Sequence, residues 1–289
     1  KIRGEEDDSS YREIREIRVC RTNEPWWVDF RYVEESEIGL RTIMSGNPGT
    51  EVVFGRAFSM RRALEKDAEA GKYTMPIVLA RRLGKNLSSA FAAVHEPYRG
   101  RPAIDELQRL ELHPSGEFAV ALAVRIGDRI DYILSTNDEP PYQLRQILGP
   151  KRIELRGRFG IVSTSKGQVT WMYLLDGMEL TYGDRSLKAP GRWEGGITGA
   201  IDCGFETDAN LPTDCSLDGA ALLLIHGDGS IQGYEIDHVE ATAAKTTIVI
   251  KGPPGLTIEG ERMRMLFFPL RETKGRNSFV IMSSAYQQF

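Results

Sequence analysis

Hydrophobic residues in this chain recur at every second position far more often than at helical spacing. Phe118, Val120, Leu122 and Val124 alternate with small and polar neighbours, Gly127-Asp128 supplies a turn, and Ile130, Tyr132 and Leu134 resume the alternation. Strand side chains point to opposite faces in turn, so the pattern predicts a hairpin with one apolar face. It continues through residues 152–189, where Ser165-Lys166-Gly167, Asp176-Gly177 and Gly183-Asp184 punctuate short strands. Residues 220–236 read as an apolar strand, a Gly227-Asp228-Gly229 turn and a return strand, and residues 246–260 give another pair.

Helix signals are few. Ser10 and Glu13 form a possible capping box for a short helix from Ser10 to Val19, and Arg61 to Gly71 holds good helix formers closed by glycine. The second lies between two strand-like stretches, which places it on a rim rather than in a core layer. No fixed-period repeat is present, and helical toroids, Rossmann units and solenoids do not fit the layout. The expected fold is all-β: a large antiparallel β-sandwich of stacked sheets with few short helices, spanning residues 1–289 as one unit. A sub-boundary is available at Asp138–Gln143, where two prolines interrupt the strands, and a second break at Gly191–Gly196. Neither is long enough for a flexible linker, so tightly packed sheets are favoured over mobile domains.

Composition narrows the function classes. A hydrophobic share of 41% and a charged share of 27% suit a globular chain with a core. The formal net charge is -4 with the two signs interspersed, so no basic stripe exists to neutralise phosphates, and nucleic acid is not expected as a partner. A polyanionic sugar would have to be met by local arginine clusters. No apolar run approaches the roughly 18 residues of a membrane span, and the amino terminus lacks the apolar core of a signal peptide. A start at Lys1 without Met fits a fragment, a processed product or a trimmed chain, which leaves localisation open. Cys20, Cys203 and Cys215 show no C-x-x-C spacing and read as three buried thiols; a Cys203–Cys215 bridge is the lesser reading, relevant only outside the cytoplasm.

One family resemblance stands out. Residues 39–62 and 75–102, above all VHEPYRG at 94–100 with LSSAF at 87–91, resemble heparinase II/III-like polysaccharide lyases in the stretch where a β-sandwich follows a helical toroid. GYEIDHVE at 233–240 is similar to later strands of that family. Lacking both a long helical segment and the His-containing segment that normally precedes this region, the chain resembles the back half of an enzyme. The resemblance implies an acidic polysaccharide or oligosaccharide as ligand, a missing N-terminal helical domain as partner, and a secreted or periplasmic setting. Such lyases cleave uronic-acid polysaccharides by β-elimination: the carboxylate is neutralised, a base removes the C5 proton and an acid protonates the leaving oxygen. Most of those groups come from the toroid, with a His from the sandwich side, so the chain by itself is expected to be inactive and to need no cofactor.

His95, Glu96, Tyr98 and Arg99 put a base, a carboxylate, a phenol and a guanidinium within five residues. His95 is a weak candidate proton carrier, and Tyr98, Arg99 and Arg101 are candidate substrate-binding residues. A strand-end hydrogen-bonding role for the His and a clamping role for the Arg are the simpler alternative. Trp193, in a Gly-rich stretch read as a loop, is a candidate for stacking on a sugar face; of adjacent Trp26 and Trp27, at most one should be exposed. His113 and His226 read as turn residues. His238 with Asp237 and Glu240 offers two ligands at period two, too few for a metal site. The competing readings are the sheet portion of a lyase, a non-catalytic carbohydrate-binding or scaffolding module, and a hydrolase with paired carboxylates, for which no particular pair stands out. An unclothed apolar sheet face would favour the first.

Overall fold

The computed structural model describes residues 14–58, 73–149, 151–243, 245–267 and 269–289, and every regular element among them is a β-strand. The all-β reading therefore holds. The helix expected over Ser10–Val19 is replaced from Arg15 onward by strand β1 (Arg15–Thr22), in which Ile17, Val19 and Thr22 are β-branched; Ser10 and Glu13 lie outside the described residues. The Arg61–Gly71 helix also lies outside them.

Two compact units divide the chain: residues 1–110 with 122–130, and residues 111–121 with 131–289. Asp138–Gln143 lies inside the second. The first holds β1, β2 (Trp26–Arg31), β3 (Ile38–Met44), β4 (Thr50–Phe58), β5 (Thr74–Arg81), β6 (Ala93–Arg99) and β7 (Glu106–Leu110). It contains two three-stranded antiparallel sheets, ordered β1-β4-β5 and β2-β3-β6. The hairpin expected about Gly127-Asp128 forms from β8 (Val120–Ile126) and β9 (Arg129–Ser135), and the division between the units runs through it. Val120, Leu122, Val124 and Leu134 are buried as their alternation requires.

In the second unit the sheet order is β13-β12-β11-β9, built from β9, β11 (Ile153–Ser165), β12 (Gln168–Tyr182) and β13 (Arg185–Lys188). β10 (Leu144–Ile147) adds to β11. Lys166 and Gly167 both have positive φ, as the two-residue turn between β11 and β12 needs. Asp176-Gly177, expected as a turn, instead lies within the 15-residue β12. There the register shifts opposite Arg156-Gly157, and Asp176 takes φ 50 while the strand continues. A Cβ on Gly157 would come 2.5 Å from Gly177 Cα, so the paired glycines permit a bulge with close backbone approach rather than a reversal.

The remaining strands are β14 (Arg192–Ile201), β15 (Gly204–Thr207), β16 (Ala221–Ile225), β17 (Ile231–Ala241), β18 (Thr246–Ile250), β19 (Leu256–Glu259), β20 (Arg262–Met265), β21 (Glu272–Lys274), β22 (Ser278–Met282) and β23 (Ser284–Gln288), the last pairing with β12. Six of them close a barrel in the order β14-β15-β18-β17-β16-β22, which leaves no free edge in that layer. Phe205, Leu222, Leu224, Ile236, Ile248, Phe279 and Ile281 fill it. β18 and β19, expected to pair, do not: β18 joins β15 and β17, and β19 joins β20. Pro253 and Pro254 in their link cannot donate to a hairpin ladder.

Candidate functional site

The β2-β3-β6 sheet carries most of the residues singled out in the sequence, and its register sorts them onto two faces. Asp29, Arg41 and Glu96 align across the three strands, flanked by Trp27-Ile43-Val94 on one side and Arg31-Gly39-Tyr98 on the other. On the opposite face the rows are Val28-Thr42-His95 and Phe30-Leu40-Pro97, with Trp26-Met44-Ala93 and Ile38-Arg99 at the ends. The period of two thus separates Tyr98 and Glu96 from His95 and Arg99.

The first face pairs its own polar groups and leaves Trp27 and Arg31 exposed. Arg41 forms a two-point pair with Asp29 at 2.8 and 3.0 Å and lies over the Trp27 ring at 4.2 Å. That pairing holds the Asp29 carboxyl below, and the Arg41 guanidinium above, their ordinary values. Glu96 is buried, and one carboxylate oxygen accepts from the backbone N–H groups of Ala103 and Ile104. Tyr98 is buried over Gly39, where any Cβ would meet its ring, and its hydroxyl has no partner among the described residues. Its position is that of a packing residue rather than one aimed at solvent.

The second face is open apart from Val28, which is buried. His95 is exposed, with Nδ1 2.9 Å from Thr42 Oγ1. Leu40 is 38% exposed, Pro97 and Ala93 are exposed, and Phe30, Ile38, Trp26 and Met44 are half-buried. Arg99 is exposed and already paired with Glu37 at 2.8 Å and Glu35 at 3.6 Å. Arg101 is exposed in the bend that follows. The structure thus brings His95 and Arg99 to one surface and leaves Tyr98 on the other.

No family model, curated protein or solved structure matches this chain.

Trp193 belongs to the second unit and sits on β14 rather than in a loop. Paired with Ile281, it is half-buried against the barrel core rather than exposed, because the neighbouring glycines belong to a strand and not to a loop. It still lines a cleft of ≈ 470 Å³ with Pro190, Pro212, Asp214, Asp218 and Met282. The exposed indole is Trp27, at 57%, with Trp26 half-buried, as adjacent strand positions demand. Trp27 and Arg41 border a second groove that includes Ile104, Asp105 and Glu106.

The other histidines have local roles. His226 is a turn residue, as read, and is also buried, with its ring nitrogens 3.0 Å from Asn277 Oδ1 and 2.8 Å from Gln232 Oε1. His113 exchanges backbone hydrogen bonds with Gln146. His238 lies between Asp237 (2.8 Å) and Glu240 (3.1 Å), whose carboxylates raise its pKa, Asp237 first. Both its nitrogens are thereby engaged. The cysteines correct their sequence reading: Cys20, Cys203 and Cys215 are all exposed and unbridged, because they fall at an outward strand position and in surface turns.

Sequence reasoning missed a buried charged cluster at Asp176. Asp176, 1% exposed, receives Arg192 at 2.9 and 2.6 Å and the Tyr142 hydroxyl, while Arg192 also reaches Glu139 at 2.6 Å. Burial, and then Asp176, push the Tyr142 phenol up to about 12. The only signal in the sequence was an Asp-Gly pair followed at distance by an Arg, which spells a turn in most chains.

Proposed function

We propose that this chain is the β-sheet part of a heparinase II/III-like polysaccharide lyase and that the open face of its β2-β3-β6 sheet seats a helical domain. The observation that supports this reading is the apolar row Phe30-Leu40-Pro97 beside His95, exposed at Leu40 and Pro97 and half-buried at Phe30. Apolar side chains on the free side of a sheet mark a contact surface. A helical domain seated there would place His95 at the edge of a glycan cleft. Thr42 Oγ1 is positioned to take the Nδ1 proton, which would leave Nε2 free as a base for proton transfer. Neutralisation of the uronate carboxylate and protonation of the leaving oxygen would come from the helical side. The isolated chain should therefore show no turnover.

The test has two parts. The coding sequence upstream of Lys1 should specify a long helical segment; its absence removes the proposal. The chain joined to that segment should convert a uronic-acid polysaccharide to unsaturated, ultraviolet-absorbing products, whereas the chain alone should not, and Leu40→Asp should abolish the joining without unfolding the sheet.

A second reading, a carbohydrate-binding module without chemistry, is favoured by the Trp193 cleft, where an indole and two carboxylates could hold a sugar's apolar face and hydroxyls.

A further inference from the structure

Of the two arginines singled out beside VHEP, Arg99 has no charge to spare, and Arg101 is exposed in a bend with no other cation held beside it among the described residues. Arg99 is satisfied by Glu37 and Glu35, Arg41 by Asp29 and Arg81 by Glu51. Arg82 and Arg109 differ. Arg82 donates from Nε to the Pro48 carbonyl at 2.8 Å and from Nη1 to Ser89 Oγ at 2.9 Å. Arg109 donates from Nη1 to Asn47 Oδ1 at 2.7 Å and to the Ala90 carbonyl at 3.4 Å. All four acceptors are neutral, and neither guanidinium meets a carboxylate among the described residues.

The pair is built into the fold. Asn47 and Pro48 lie in the link from β3 to β4, Ser89 and Ala90 in the link from β5 to β6, Arg82 directly after β5 and Arg109 in β7. Asn47 is buried and fixed at both ends of its amide, donating to Ala90 O at 3.1 Å while accepting from Arg109. Both arginines are half-buried, so their stems are held and their heads have limited access to water. Burial, and then the charge on Arg82, hold the Arg109 guanidinium below its ordinary value, as expected for two like charges brought together.

We propose that Arg82 and Arg109 form an oxyanion-binding site for the carboxylate or sulfate of an acidic sugar, with Asn47 and Ser89 setting the geometry. Two cations held close with only neutral acceptors gain from an anion placed between them. Arg109 Nε and Nη2 and Arg82 Nη2 have no partner among the described residues and remain as donors for a planar or tetrahedral oxyanion. The choice of an acidic sugar rests on the proposed function; the anion site rests on the two guanidiniums alone.

Titration calorimetry and thermal unfolding of the full chain, with a hexa-uronate and with inorganic sulfate as separate probes, test this. Wild-type protein should bind at least one probe and unfold at a higher temperature in its presence. Arg82→Gln and Arg109→Gln should each weaken that binding about tenfold or more, the scale of a lost charged hydrogen bond. The hydrogen bonds of Arg82 go only to loop atoms, Pro48 O and Ser89 Oγ, so Arg82→Gln should lower the probe-free midpoint less than Arg109→Gln, and it keeps the test decisive if Arg109→Gln loosens the loops. Response to the hexa-uronate alone assigns a carboxylate site, and response to both an oxyanion site of either kind. No response to either probe, or undiminished binding in Arg82→Gln, overturns the proposal. Binding that depends on Arg82 in a chain with no upstream helical segment would sink the lyase reading and leave the anion site standing.

Discussion

Arg192 grips Asp176 by two points, Nε at 2.9 Å from one carboxylate oxygen and Nη2 at 2.6 Å from the other. The two side chains are 9% and 1% exposed. Asp176 sits at φ 50 in the bulge of β12, Arg192 opens β14, and Tyr142 approaches the same carboxylate from the stretch before β10. Three segments are thus tied at one buried charge, on a bulge residue whose left-handed backbone Asp adopts more readily than most non-glycine residues.

Removing one partner of a buried pair leaves the other desolvated, so Asp176→Ala should lower stability by about 3–5 kcal/mol. Asp176→Asn loses the charge but tolerates the left-handed backbone and can still accept from Arg192, so its loss should be smaller. Urea unfolding followed by near-ultraviolet circular dichroism would show the order wild type, Asn, Ala. An Asp176→Ala midpoint equal to that of the wild type would mean that the pair contributes nothing.

The bulge makes a separate prediction. Because a Cβ at Gly157 would lie 2.5 Å from Gly177 Cα, backbone against backbone, no rotamer change can relieve it. Gly157→Ala should cost about 1–3 kcal/mol, the range for overpacking. Gly233→Ala, in strand β17 at ordinary φ with the nearest atom to an added Cβ at 3.9 Å, separates the steric effect from the general effect of placing a Cβ on a strand glycine. Equal losses in the two variants would show that close approach is not what Gly157 serves.

Alternation made strands legible wherever one face was buried, as with Val120, Leu122 and Val124, because a period of two survives in sequence unchanged. Closure of the barrel was not legible, since the partners in β14 and β22, from Gly196 with Ser278 to Arg192 with Met282, are distant in sequence and pairing leaves no mark on either strand alone. The same limit explains the site. His95 and Arg99 could be placed on one face by counting, but that Glu37 neutralises Arg99 while Arg82 and Arg109 meet only neutral acceptors depends on loops converging in space. Asp176-Gly177 misled because the residues that make a turn also make a bulge.

His238 offers a spectroscopic check on the β17 irregularity, where the register shift between Ile236 and His238 lets Asp237 and Glu240 both reach the ring. Its pKa is raised, so the favourable interaction is fully present below the ordinary histidine value and fades as pH rises through the raised one. In an NMR titration His238 should lose its proton at higher pH than a free histidine, and Asp237→Asn should move it back down. An unshifted titration in the wild type would mean that the carboxylates do not close on the ring in solution.

Two carboxylates in the first unit should set its tolerance of acid. Asp29 is held below its ordinary value chiefly by its hydrogen bond from Arg41, and Glu51 chiefly by that from Arg81 at 2.8 and 2.6 Å. A carboxyl depressed in the folded state contributes stability above its unfolded pKa, about 4 for these groups, and loses that contribution as pH falls through the folded value. Each pairs strands directly: Asp29–Arg41 joins β2 to β3, and Glu51–Arg81 joins β4 to β5. Thermal unfolding from pH 7 down to about 2.5 should therefore show Asp29→Asn and Glu51→Gln less stable than wild type at neutral pH, with the gap closing below about pH 4 as the wild-type carboxyls become protonated. The Asp29 variant carries an added signature, because Arg41 also covers the Trp27 ring at 4.2 Å; freeing Arg41 should change the emission of that exposed indole at neutral pH, whereas Glu51→Gln should not. A gap that stays constant across the whole acid range would show that the substitutions act through packing, and the assignment of acid sensitivity to these two pairs would be wrong.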